Sequence, residues 1–155
     1  MIIYYSWSGN TKAYAEELAI KKGLSVFQLE EKKGRTGKLS FLRACLQGIS
    51  RKQIEVVALP DISSCTEIFV CAPIWAGSAA PAVRYFLNHS DLSGKRVTFL
   101  FTCGGMTEPE VLQNEVERLL KDKGCSIGTI YSFTARFKQA PEPEMVKKNI
   151  EEAVN

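Results

Sequence analysis

Ser6-Trp7-Ser8-Gly9-Asn10-Thr11 is the stretch on which the reading of this chain turns. It follows directly on the apolar run Ile2-Ile3-Tyr4-Tyr5. It leads directly into a helix-like pattern, with Ala15, Leu18 and Ala19 on one side and Lys12, Glu16, Glu17 and Lys21 on the other. The run is short, apolar, β-branched and aromatic, which is strand composition. An all-apolar strand is one buried on both faces, as in a parallel α/β sheet. The six residues therefore join the carboxyl end of a strand to the start of a helix, where ligands sit in open α/β sheets.

That junction suits an anion. The first N–H groups of a helix have no intrahelical partner, and the helix dipole is positive there. Ser6, Ser8, Asn10 and Thr11 add side-chain donors without charge, and Gly9 permits close approach and a positive φ. No Lys or Arg lies inside the stretch, and Lys12 is the nearest cation. A phosphate monoester seated here is held by dipoles rather than by a countercharge. The competing reading is an ordinary helix cap, because Ser8, Asn10 and Thr11 are common helix-start residues.

The 155 residues are read as one domain, 1–155. The apolar fraction of 45% is that of a globular protein, and no apolar run approaches the roughly 20 residues that span a bilayer. The N-terminus enters a strand without a charged leader, and a cytoplasmic location is expected. Five cysteines, Cys45, Cys65, Cys71, Cys103 and Cys125, contain no C-x-x-C pair, and no His/Cys cluster suggests a metal. Reduced thiols fit best, with Cys45 and Cys71 as small core residues. The net charge is +3, and from Lys32 to Lys52 the chain carries seven basic residues and no acidic one. That segment is either a solvated face or a docking surface for an acidic partner or a phosphorylated cofactor. Few aromatics interleave with it, which argues against nucleic acid.

Strand and helix patterns alternate along the chain. Strands are expected at about 2–5, 24–29, 67–72, 96–102 and 127–134, and helices at about 11–22, 38–50, from about 80, 109–123 and 142–153. The second helix is expected to bury Leu42, Cys45, Leu46 and Ile49. Five alternating pairs make a parallel α/β sandwich. The third strand then ends in Pro73-Ile74-Trp75-Ala76-Gly77 and the fourth in Thr102-Cys103-Gly104-Gly105, at the same sheet edge as Ser6–Thr11. An aromatic platform and flexible backbone at that edge suit a flat, conjugated ligand. The alternative makes Trp75 a helix anchor and Gly104-Gly105 a plain turn.

With these three loops the chain resembles the flavodoxin family. Ser6-x-Ser8-Gly9-Asn10-Thr11 is similar to that family's phosphate loop, Pro73–Gly77 to the loop covering one flavin face, and Thr102–Gly105 to the loop at the pyrimidine side. The resemblance implies a three-layer, doubly wound fold with a five-stranded parallel sheet in the order 2-1-3-4-5. It implies non-covalent FMN: the phosphate on Ser6, Trp7, Ser8, Gly9, Asn10 and Thr11, and the ring among Pro73, Ile74, Trp75, Ala76, Gly77, Cys103, Gly104 and Gly105. Trp75 is the expected stacking partner. It also implies electron transfer with a redox partner protein or a small-molecule acceptor. The alternative is a flavin-dependent NAD(P)H or quinone oxidoreductase.

Other activities of this architecture lack their residues. A phosphoacceptor needs an aspartate where Pro73 stands, and a low-molecular-weight tyrosine phosphatase needs a cysteine and an arginine in the first loop. No Walker A, G-x-G-x-x-G or G-x-S-x-G pattern is present. His89, the single histidine, lies at a helix end beside Asp91, where it is expected to cap the helix or face solvent.

Overall fold

The computed structural model describes residues 1–34, 40–136 and 139–154, apart from the side chains of Ser40 and Phe41. Eleven elements follow in the order β1 (Ile2–Tyr4), α1 (Asn10–Lys22), β2 (Val26–Gln28), α2 (Ser40–Ile49), β3 (Glu67–Trp75), β4 (Ser78–Ala79), α3 (Pro81–His89), β5 (Arg96–Cys103), α4 (Pro109–Leu120), β6 (Ser126–Thr134) and α5 (Pro143–Ala153). The parallel strands run β2-β1-β3-β5-β6, which is the expected order, and β4 is a short addition antiparallel to β3. Part of the basic segment, residues 35–39, lies outside the described residues.

Strand parity sorts the apolar residues into two layers. Ile2, Tyr4, Phe69 and Leu100 face one way and pack with Tyr14 and Leu18 of α1 and Val146 and Ile150 of α5. Ile3, Val70, Phe99 and Phe101 face the other way and pack with Val83 and Phe86 of α3 and Leu112 and Val116 of α4. Two faces buried by two helix pairs make the three-layer sandwich. β1 pairs with β3 from Ile2 opposite Phe69 to Tyr4 opposite Cys71, and β3 pairs with β5 as far as Ile74 opposite Cys103. That register brings the loop after β1 and the ends of β3 and β5 to one sheet edge.

Three expectations need correction. β3 does not stop at residue 72 but runs to Trp75 and turns back at once into β4. Pro73 is tolerated inside it because β1 has ended. The Cys71 carbonyl still accepts the Tyr5 N–H at 3.1 Å, and two residues on, that same edge meets β4, where the Pro73 carbonyl accepts the Ala80 N–H at 3.1 Å. β2 is an edge strand of three residues, Val26–Gln28, shorter than the expected 24–29. The third correction concerns α2. Leu42, Leu46 and Ile49 are exposed, and the helix approaches β3 and β4 through Ala44 and Gly48. Gly48 lies so close that a Cβ there would stand 2.2 Å from the Trp75 carbonyl oxygen. Small residues permit that approach, and larger ones on the contact face would hold the helix off. His89 behaves as expected, with Nδ1 2.9 Å from the Tyr85 carbonyl one helical turn back.

Gly48→Ala tests the α2 contact. Helix propensity alone predicts a gain of about 1 kcal/mol. The contact with Trp75 predicts a net loss of about 1–3 kcal/mol. Urea denaturation is expected to show the loss; a gain would mean that α2 does not rest on Trp75.

Candidate functional site

A cavity of about 340 Å³ opens at the carboxyl ends of β1, β3 and β5. The first loop and α1 contribute Trp7, Ser8, Asn10 and Thr11. β3 and its turn contribute Pro73, Ile74, Trp75 and Ala76; the end of β5 contributes Thr102 and Gly104. Cys45 of α2 and Ala135 and Arg136 after β6 complete the lining.

The start of α1 is built for something other than a side-chain cap. Gly9 occupies the N-cap position at φ 90°, a conformation that favours glycine, and no side chain caps the helix there. The polar side chains around it are directed elsewhere. Thr11 Oγ1 lies 2.7 Å from Thr102 Oγ1, a buried hydrogen bond that ties the first loop to the third. Asn10 Nδ2 donates to the Arg136 carbonyl at 2.8 Å. Ser6 Oγ and Asn10 Oδ1 are buried without a hydrogen-bond partner among the described residues. A buried polar atom left in that state costs about 1–3 kcal/mol. An anion at the mouth of the loop would accept from the Ser6 hydroxyl; the Asn10 amide oxygen accepts only, and a ligand hydroxyl or N–H rather than a phosphate oxygen would relieve it. Lys12, the nearest cation in sequence, lies 3.7 Å from Glu16 one turn along the helix.

The second loop is a tight hairpin. Ala76 at φ 48° and Gly77 at φ 78° are both left-handed, the pattern of a two-residue type I′ turn. A non-glycine residue in that region costs about 1–2 kcal/mol, so the turn needs support from outside. Ala79 supplies the attachment. Its N–H donates to Glu115 Oε1 at 3.0 Å, and its carbonyl accepts from Arg84 Nη1 at 2.6 Å. Arg84 also donates to the carbonyls of Gln47 at 2.8 Å and Lys52 at 2.6 Å, at the carboxyl end of α2. Arg118 in turn bonds the second oxygen of Glu115. Arg84 and Glu115 are each 2% exposed. Burial, and secondarily the positive charges of Arg118 and Arg51, lower the Arg84 pKa to about 10. The turn after Trp75 and the end of α2 are thus held by one guanidinium.

Trp75 is half-buried. Its ring meets Tyr5 and Trp7 edge-on, each at a centroid distance of 5.8 Å, with interplanar angles of 84° and 77°. The two indoles therefore stand side by side at the cavity, neither stacked on the other.

The sequence-predicted residues divide between the cavity wall and its support. Trp7, Ser8, Asn10, Thr11, Pro73, Ile74, Trp75, Ala76 and Gly104 line the cavity. Ser6, Gly9, Gly77, Cys103 and Gly105 are not on its wall. Ser6 is the buried hydroxyl, Gly9 begins the helix, and Gly77 completes the turn. Cys103 is buried, with Sγ 3.6 Å from Ser132 Oγ. Four wall residues were not among the predicted contacts: Thr102, which was read only as part of the third-loop pattern, and Cys45, Ala135 and Arg136. Ala135 and Arg136 follow the last parallel strand, and applying the strand-end rule to that strand finds them. Cys45, expected in the core, is a half-buried wall residue, because α2 turns Ala44 and Gly48 to the sheet.

Neither a protein-family model nor a curated protein sequence matches the chain. Solved structures do. A candidate flavoprotein of Bacteroides uniformis has a TM-score of 0.77 at 20% identity, covering 97% of this chain and 96% of its own. A flavoprotein of Lactobacillus acidophilus, solved in complex with FMN, has 0.69 at 22% identity, covering 84% and 90%. Oxidised flavodoxin 1 of Bacillus cereus has 0.57 at 17% identity, covering 97% and 91%. The fold is flavodoxin-like.

Removing the buried carboxylate tests the support of the turn. Glu115→Ala leaves the Ala79 N–H and the Arg118 guanidinium without their partner and is expected to cost about 3–5 kcal/mol. Chemical denaturation measures it; a loss below about 1 kcal/mol would show that the turn does not depend on Glu115.

Proposed function

We propose that this protein binds FMN in the cavity at the sheet edge and carries electrons between redox partners. The observation that carries the reading is the start of α1. A glycine-capped helix end, surrounded by uncharged hydroxyl and amide groups with buried, unanswered polar atoms, opens into a cavity walled by two tryptophans. The likeness to an FMN-bound flavoprotein supports the choice of ligand.

The residues present fit that group. Ser6, Ser8, Asn10, Thr11 and the first N–H groups of α1 would hold the phosphate by charge-assisted hydrogen bonds. Trp75 and Trp7 would flank the ring and exclude water from it. Thr102, at the end of β5, holds Thr11 in place. The turn at Ala76-Gly77, fixed through Ala79, would keep backbone groups at the ring edge. The flavin supplies one- and two-electron redox chemistry when bound, and the protein sets its position and access.

Titrating the purified protein with FMN tests this, through tryptophan fluorescence and the visible spectrum of the bound flavin. Saturable binding with quenching of Trp7 and Trp75 is expected, and a protein that binds no FMN defeats the reading. Ser8→Ala with Thr11→Ala is expected to weaken binding by about a hundredfold to ten-thousandfold, from two hydrogen bonds to a charged group at about 1.5–3 kcal/mol each. An unchanged affinity in a variant with normal circular dichroism would mean that the loop does not hold the phosphate. Steady turnover of NAD(P)H with a quinone and no partner protein would replace the carrier reading with that of an oxidoreductase.

A further inference from the structure

We propose that the outer face of α2 is the docking site for an acidic protein that exchanges electrons with the bound flavin, a proposal that rests on the cofactor reading above. Leu42, Leu46 and Ile49 fall at i, i+4 and i+7, so they form one stripe along the helix. They are 56%, 57% and 68% exposed. Single exposed apolar residues need no explanation, but a contiguous stripe rimmed by polar residues marks an interaction site. The opposite side of the helix is already committed, through Ala44 and Gly48, to the body of the protein.

Charge selects the occupant. The surroundings of the stripe are basic: Arg43 lies on the helix, Arg51 and Lys52 follow it, and all three are exposed. The sequence from Lys32 to Lys52 contains no carboxylate side chain. A second copy of the chain fits poorly, because a two-fold contact through this face brings Arg43, Arg51 and Lys52 of both copies to one seam. A partner with carboxylates around an apolar centre matches both features and is steered onto the face at low ionic strength.

Position links the face to redox exchange. Cys45, on the same helix, lines the cavity, and Gly48 rests on the backbone of Trp75. A partner seated on α2 is separated from the cavity by about one helix diameter, roughly 10 Å. A one-electron donor bound there loses one electron per encounter. Two encounters supply the two electrons of full flavin reduction, and solvent supplies the protons taken up.

The test uses the FMN-loaded protein and a pre-reduced, acidic plant-type [2Fe–2S] ferredoxin as probe, followed anaerobically by stopped-flow absorbance. The second-order rate is expected to fall at least tenfold between about 10 mM and 500 mM salt, as screening shortens from about 30 Å to a few ångströms. Arg43→Glu with Lys52→Glu, and separately Leu46→Ser, are each expected to lower the low-salt rate at least tenfold with FMN affinity and spectrum unchanged. The proposal is overturned by rates that ignore salt and these substitutions. It is equally overturned if oxidation of the pre-reduced, FMN-loaded protein by basic ferric cytochrome c slows as salt rises, the sign of an acidic docking face, or by a wild-type dimer that Leu46→Ser disperses in sedimentation. Calorimetric titration with the same ferredoxin reports docking without flavin, so a failure to bind FMN is distinguishable from failure of the surface.

Discussion

The parallel pairing of β1 with β3 is the constraint on which the site depends. It fixes Tyr4 opposite Cys71, so β1 stops while β3 continues for four residues to Trp75. The chain leaving β1 must then turn into α1 beside the end of β5, where Thr11 meets Thr102. One register therefore brings a helix N-terminus, a tryptophan hairpin and a glycine-containing strand end to a single edge. A slip of one residue would reverse strand parity and exchange the two buried faces, so the core enforces the register that the site requires.

The second support is polar and buried. A type I′ turn with alanine at its first position is strained, and hydrogen bonds to both backbone groups of Ala79 hold the strand that follows it. Arg84 carries this one step further by binding carbonyls at the end of α2, the helix whose Gly48 presses on Trp75. Helix, hairpin and guanidinium form one unit. A buried charge is an expensive way to join two segments. Here its donors satisfy carbonyls from α2, the residues after it and β4, and apolar side chains have no donors with which to do that.

The sheet and its edge were legible in the sequence because their signals are local. Ile2–Tyr5 is uniformly apolar, the residues after Gly9 show helical spacing, and the third and fourth strands end in recognisable turn residues. What escaped depends on distant partners. Arg84 sits between Val83 and Phe86, and nothing nearby in the sequence indicates that the Gln47 and Lys52 carbonyls would receive it. The stripe on α2 has the periodicity of a core helix, and periodicity does not distinguish a core from an unpartnered surface. The spacing of Ala44 and Gly48 was the better guide to which side packs inward. Ala135 and Arg136 were missed for a simpler reason: the strand-end argument was applied to three strands and not to the last.

The central claim is that neutral dipoles at the start of α1 recognise a phosphate. Comparing the affinities of FMN and riboflavin for the purified protein tests it most directly, because the two ligands differ by that group alone. The account predicts that FMN binds more tightly on the order of a hundredfold or more, the equivalent of about 3 kcal/mol from charge-assisted hydrogen bonds. Equal affinities would contradict it, because the loop would then contribute nothing to the phosphate.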